Sequence, residues 1–473
     1  MTTPALAAPA RRPMKTPHRL RAYVVAVILL AVALGTVLAV AVTGVRDGLA
    51  FIGHRAGPQV IATQDVYFAL NDMDAQIANV LLVGDDRNLG VGRDKALQIY
   101  ADRRTQVAGD LQQAAAMAGD DPRAAAALRT ALDGLGRYET LAGQAVLLDG
   151  QRPHAAARPP QAALEHYRQA TDLLKSVVLP AVDTLSRSNA AALDATYQDR
   201  RAAAMASAAV VAVLGVTLVG VLLALQLSLV RTFRRLLNEW LAVATVAAFA
   251  LTVTGAGLLV TEAEHLRGAK KDAFDSVMAL TRARAVSYDA NADESRFLVD
   301  PSRADRYQRA FLEKSQQLAG FSGAGLESYD SLLDSALQIY EADHGDVRFT
   351  GFFGTAFGNI TFPGERELAE QTVTAFRDYQ RDDRKMRALR LDGDLRAAVA
   401  FNTSYAEGNS NYHFDRYDKA LERFIALNHR YFEASIRDGE AALSGWTLIP
   451  AAGALLVAVL TLVGVRPRLN EYR

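Results

Sequence analysis

The sequence predicts an all-α membrane protein: four transmembrane helices with two extracytoplasmic helical bundles continuous with the spans. Three observations carry this prediction. Four uncharged apolar runs, 22–45, 202–230, 240–261 and 441–465, each exceed the roughly 18–20 residues that cross a hydrocarbon core as helix. The long segments between them, 46–201 and 262–440, are cut into helix-length pieces by Gly, Pro and Asp clusters, and 46–201 shows no strand-like alternation. Finally, the charge is unevenly placed although the chain is formally neutral. A soluble globular chain is excluded.

The tail 1–21 carries Arg11, Arg12, Lys15, Arg19 and Arg21 and no acid. The turn 231–239 carries Arg231, Arg234 and Arg235 against Glu239, and the tail 466–473 carries Arg466, Arg468 and Arg473 against Glu471. These three short segments hold 11 basic and 2 acidic residues, whereas 46–201 holds 17 and 19 and 262–440 holds 24 and 31. Lys and Arg in short loops mark the cytoplasmic side. The prediction is a multi-pass plasma-membrane protein with both termini and the turn in the cytoplasm and both long segments outside. Trp240 and Trp446 sit at span ends, as interfacial anchors do. The first run is too long for the 7–15 residue apolar core of a cleaved signal peptide, so it reads as a span.

Between spans one and two, breakers at Gly84–Gly92, Gly119–Pro122 and Asp149–Pro160 leave helices over 46–83, 93–118, 123–148 and 161–201, an up-down four-helix bundle. The last carries Leu164, Tyr167, Thr171, Leu174, Val178 and Leu185 at the spacing of a packing seam. Between spans three and four, helices are expected over 262–299, 303–319, 326–343, 366–390, 395–405 and 412–440, the last leading into span four. A non-helical insertion, 344–365, holds Phe349, Phe352, Phe353, Phe357 and Phe362 among five glycines.

The span–bundle–span layout occurs twice and suggests an old duplication. Asp72-x-Asp74-Ala75 lies 27 residues beyond the first span, and Asp289-x-Asn291-Ala292 lies 28 beyond the third. The string Ala-Leu-Gln-Ile-Tyr recurs at 96–100 and 336–340, a match near chance in so Ala- and Leu-rich a chain.

The absence of cysteine excludes disulfides, thiolate metal sites and Cys nucleophiles. No phosphate loop, nucleophile elbow, zinc-helix motif or dinucleotide fingerprint is present, so the chain reads as non-enzymatic, with no cofactor, metal or nucleic-acid site expected. Asp343-His344-Gly345-Asp346 reads as a helix end and turn rather than a metal site. The spans hold no ionisable residue except Tyr23, which argues against a coupled transporter. Gly35, Gly215, Gly220, Gly255 and Gly257 are either close-packing positions or ordinary span glycines. Asp72, Asp74, Asp289 and Asn291 are either solvated helix faces or a shared element that caps a helix or holds a cationic group. The five Phe either fold back on the bundle or form a contact patch for a ligand, a partner or the bilayer. Segment 262–440 has 23 Phe and Tyr against 7 in 46–201, which makes the second bundle the candidate for specific binding. Arg231, Arg234, Arg235, Arg466 and Arg468 either set topology and meet lipid headgroups or dock a cytoplasmic partner.

Four spans, two bundles and the paired Asp-x-Asp/Asn-Ala element together resemble the GlnX family of actinobacterial membrane proteins, over the whole chain by architecture. Each bundle alone resembles the four-helix ligand-binding domain of chemoreceptors, although no HAMP or coiled-coil signalling segment follows the spans. The GlnX resemblance implies a transmembrane link between a glutamine-type solute-binding lipoprotein outside and the soluble Ser/Thr protein kinase G inside, which controls flux between the citrate cycle and glutamate synthesis. It implies no site at residue level. The expected function is therefore relay of an amino-acid signal, direct or through a loaded binding protein, along the helices at 262–299 and 412–440. An envelope assembly protein and an accessory subunit of an amino-acid transporter are the alternatives.

Overall fold

The computed structural model describes residues 16–86, 89–90, 92–117, 121–233 and 238–470. Among them the chain is helical, with fifteen α-helices and one isolated antiparallel bridge, Gly320 to Thr350, in place of any sheet. Two compact units form. One comprises Met1–Ala50, Thr196–Arg267 and Ile436–Arg473; the other comprises Phe51–Ala195 and Gly268–Ser435.

The first unit contains the four apolar stretches. They lie in α1 (Thr16–Phe51), α6 (Leu179–Phe233), α7 (Glu239–Arg267) and α15 (Ile449–Asn470), each long and apolar enough to cross a membrane. Three of the five span glycines are close-approach positions. A Cβ on Gly35 would lie 2.8 Å from Ala454 Cβ, one on Gly215 2.1 Å from Thr252, and one on Gly255 2.7 Å from Leu38. Gly220 and Gly257 face open space.

The second unit is built on α2 (Gly57–Val83) and α8 (Asp275–Val299), which pack against each other and are buried on nearly every face. Around them lie α3 (Arg93–Met117), α4 (Pro122–Gly150), α5 (Gln161–Leu173), α9 (Ala304–Leu318), α10 (Tyr329–Ala342), α11 (Gly351–Gly358), α12 (Glu365–Leu391), α13 (Leu395–Thr403) and α14 (Ser410–Ala442). One core runs from Val66 to Leu185 and takes in Phe297, Leu298, Tyr307, Met386 and Phe401, so both long sequence segments share it. A second core joins Leu280, Phe311, Tyr340, Phe376, Tyr417 and Phe424.

Helix carries on from apolar stretch to bundle at three of the four junctions, over His18–Val83, Gln161–Arg231 and Glu239–Val299. Each of the three contains a π turn: Ile52–Ala56, Leu174–Val178 and Gly268–Phe274. The first two have one physical cause. Pro58 and Pro180 each follow the π turn by two residues and lack the N–H for an ordinary i→i−4 bond. The preceding N–H, of Gly57 or Leu179, donates five residues back, to Ile52 or Leu174.

The fourth junction departs from expectation. Rather than leading into span four, α14 ends at Ala442 and α15 starts at Ile449. Pro450 cannot donate to the carbonyl four residues before it, and Gly445 takes a φ of 84° that ends the helix in left-handed geometry. The 344–365 insertion also differs, since Gly351–Gly358 is helical. Phe349, Phe353 and Phe357 recur every four residues, and burying that face outweighs the poor helix propensity of its glycines.

Candidate functional site

The paired Asp-x-Asp/Asn-Ala elements sit on the two central helices and are not solvated faces. Asp72 is 2 % exposed and Asp74 0 %. Asp72 accepts from Arg103 Nε on α3 at 2.7 Å and from Gln76 at 2.7 Å. Its counterpart Asp289 accepts from Lys314 Nζ on α9 at 2.7 Å. In each half, then, the first aspartate of the element holds a cation from the next helix along the chain. Asn291, at the other counterpart position, is half-buried and donates to Glu294 Oε2 at 3.2 Å.

Asp74 does something different. Arg296 on α8, itself 0 % exposed, donates through Nη2 to Asp74 Oδ2 at 2.6 Å. Its Nε donates to Tyr167 Oη at 3.0 Å, and its Nη1 reaches Asp289 at 3.0 Å and Asp293. Thr171 Oγ1 and Tyr167 Oη on α5 complete the shell of Asp74, at 2.9 and 3.2 Å. Lys314 and Lys175 pair with both Asp289 and Asp293. Three cations and three carboxylates, on α2, α8, α9 and the π turn Leu174–Val178, thus close a network with two hydroxyls of α5. Burial alone would raise the Asp289 carboxyl, but Lys175, Lys314 and Arg296 hold it well below the usual range. Burial pushes the Lys175 ammonium down, with Arg296 adding to the effect.

Lys175, Lys314 and Asp289 also form the inner wall of an open cavity of about 600 Å³, within the roughly 300–1,000 Å³ typical of small-molecule sites. Its remaining cations are Arg187, Arg282, Arg306 and Arg309, and its remaining acids Asp183 and Glu313. Leu179, Pro180 and Ala310 supply an apolar strip. Tyr67 lies under Arg282, whose guanidinium carbon is 3.8 Å from the ring centroid. Lys175 belongs to the π turn Leu174–Val178, and such turns are frequent at functional sites. Charged side chains dominate the lining; among the described residues no group of three or more His, Asp or Glu could hold a metal ion.

The Phe cluster lies elsewhere. Phe349, Phe353 and Phe357 are buried in the second core against Tyr340, Phe376 and Tyr417, so they fold back rather than present a patch. Phe352 is half-buried, and Phe362 stacks on Tyr431 with centroids 4.1 Å apart. Arg231 and Arg466 are exposed at the ends of α6 and α15. Arg234, Arg235 and the side chain of Arg468 lie outside the described residues.

Sequence reasoning missed the cavity, Arg296 and both lysines. One signal was present: Asp289, Asp293 and Arg296 recur at i, i+4 and i+7, a charged stripe on one helix face, and such a stripe ordinarily reads as solvated.

Residues 48–212 match a family model described as an actinobacterial sensor domain. The matched stretch contains Tyr67, Asp74, Tyr167, Thr171, Lys175, Asp183 and Arg187, one side of both the network and the cavity. No curated protein and no solved structure matches the chain. Four apolar helices and a sensor-domain match indicate a membrane protein with a role in sensing or signalling.

Proposed function

We propose that this chain is a non-enzymatic signal-transduction protein of the plasma membrane. In this reading its termini lie in the cytoplasm and the unit built on α2 and α8 lies outside. That unit senses an amino acid or an amino-acid-loaded binding lipoprotein, and the change is relayed to a cytoplasmic Ser/Thr protein kinase. The observation that carries the reading is the sensor-domain match over a stretch whose helices run unbroken into apolar spans, His18–Val83 and Gln161–Arg231. The surplus of Lys and Arg in the short segments supports the orientation and gives lipid headgroups and a docking protein a basic surface. A ligand shifts such a relay only by its differential affinity for two states. The three unbroken helices are the route; α14 is not, because it stops before α15.

The test is a mild-detergent pull-down of the tagged protein from native membranes. Recovery of a solute-binding lipoprotein together with a soluble Ser/Thr kinase is expected. Recovery of permease subunits, or of envelope factors alone, would overturn the relay in favour of a transporter accessory or an assembly role.

A further inference from the structure

The cavity's charges do not balance, and the imbalance has a location. Six cations and three carboxylates line it. With the groups directly paired to that lining included, there are seven cations (adding Arg296) and five carboxylates (adding Asp172 and Asp293), and the next partners out, Arg303 and Asp74, add one of each. The buried part is neutral, with Lys175, Lys314 and Arg296 facing Asp74, Asp289 and Asp293. The surplus of two arises at the mouth. Asp183 is shared by Arg187 and Arg282, at 3.1 Å each, and Asp172 by Arg303 and Arg306, at 3.0 and 3.1 Å. Each sharing leaves guanidinium N–H groups without an anionic partner.

We infer that this cavity binds a small dicarboxylate. The two surpluses sit on different helices, α6 with α8 on one hand and α9 on the other, so two separated charges complement them better than one phosphate centre does. Arginine's planar fork matches a carboxylate in two-point fashion. Stacking on Tyr67 fixes the Arg282 fork in advance of binding. Leu179, Pro180 and Ala310 offer apolar surface to the carbon chain between the two carboxylates. A neutral amino acid fits less well, because it brings one carboxylate for two surpluses and its ammonium adds positive charge to a lining that already holds six cations against three carboxylates. A nucleotide fits less well because the one aromatic of the lining, Tyr67, is covered by Arg282. The inference rests on the sensor reading for its purpose but not for its measurement.

The experiment is isothermal titration of the full-length protein in lipid nanodiscs with succinate, glutamine and inorganic phosphate, at fixed ionic strength. Saturable one-site binding of succinate is expected, with glutamine and phosphate much weaker. The double variant Arg187→Ala with Arg306→Ala, which removes one arginine from each surplus, should weaken succinate binding about tenfold or more. Both side chains are exposed, so the unliganded melting temperature should not move, which separates lost binding from lost fold. No binding of succinate, equal or tighter binding of glutamine or phosphate, or a double variant with unchanged affinity would overturn the inference. No kinase or lipoprotein is present in the titration, so its failure and that of the pull-down are independent.

Discussion

Arg296 on α8 donates to Asp74 on α2 across 222 positions of sequence, at 2.6 Å, with neither side chain exposed to solvent. Charges taken out of water repay their desolvation only when every partner is in place. Here the guanidinium meets Asp74, Asp289, Asp293 and the Tyr167 hydroxyl, so each of its nitrogens is used. Arg296→Leu strands Asp74 with two hydroxyls and should cost about 3–5 kcal/mol. Arg296→Lys should recover little, because an ammonium cannot reproduce the fork. Denaturant unfolding checks both, and a near-neutral Arg296→Leu would show that the network does not hold α2 to α8.

Glu294 is fully buried, and burial together with the neighbouring Asp383 raises its carboxyl well above the ordinary value, against a hydrogen bond from Tyr379. It therefore holds a proton when folded that the unfolded chain releases. Its contribution is fully present below the unfolded pKa and is lost as pH rises toward the folded one. Glu294→Gln, which mimics the protonated acid, should raise the melting temperature at pH 8 and leave it nearly unchanged at pH 4. Equal shifts at both pH values would contradict the assignment.

Asp65 on α2 is pushed up from 3.8 to about 6 by burial and by Asp110, with Arg284 and Arg103 opposing. Folding takes up a proton there between those two values, so stability falls as pH rises through that window. Asp65→Asn should flatten this part of the pH–stability curve. A melting-temperature series from pH 4 to pH 7 shows whether it does.

Gly215 faces Thr252, whose Oγ1 is already tied to the Ala248 carbonyl at 2.7 Å and cannot swing freely. Gly215→Val should destabilise by about 1–3 kcal/mol or more through overpacking. Gly220→Val, on the same helix and facing open space, should be near neutral. Thermal denaturation in detergent compares the two, and similar losses would point to helix propensity rather than contact.

Phe353 is 0 % exposed among Phe376 and Tyr417, whereas Phe362 is only half-buried. Phe353→Ala should cost about 3–5 kcal/mol, and Phe362→Ala clearly less. The reverse order, read by denaturant unfolding, would return Phe353 to the surface.

The spans, the helix breakers and most helix limits were legible because each is written locally. Apolar run length gives a span, and Asp121 with Pro122 gives the cap and first residue of α4 whatever surrounds them. Two local features were misread. Ser444–Gly445 with Pro450 breaks a run that carries no charge, and the Phe349/Phe353/Phe357 face makes a helix from a glycine-rich stretch. The candidate site was not legible for a different reason. Asp74 looks solvated until Arg296 arrives from the other half of the chain, and the cavity takes its cations from α6, α8, α9 and a π turn. Burial of charge depends on partners, and partners at such separations leave no spacing to read.

The π turn that carries Lys175 also fixes a phase. A π turn is an α-helix with one residue too many, so loss of a single residue within 174–178, together with replacement of Pro180, would return the segment to ordinary pitch. It would also turn everything upstream by about 100° relative to everything downstream. Tyr167 and Thr171 would swing away from Asp74, and the seam along α5 would face a new neighbour. The extra residue is therefore part of what keeps the network: a chain without it would have to supply Asp74 with another partner.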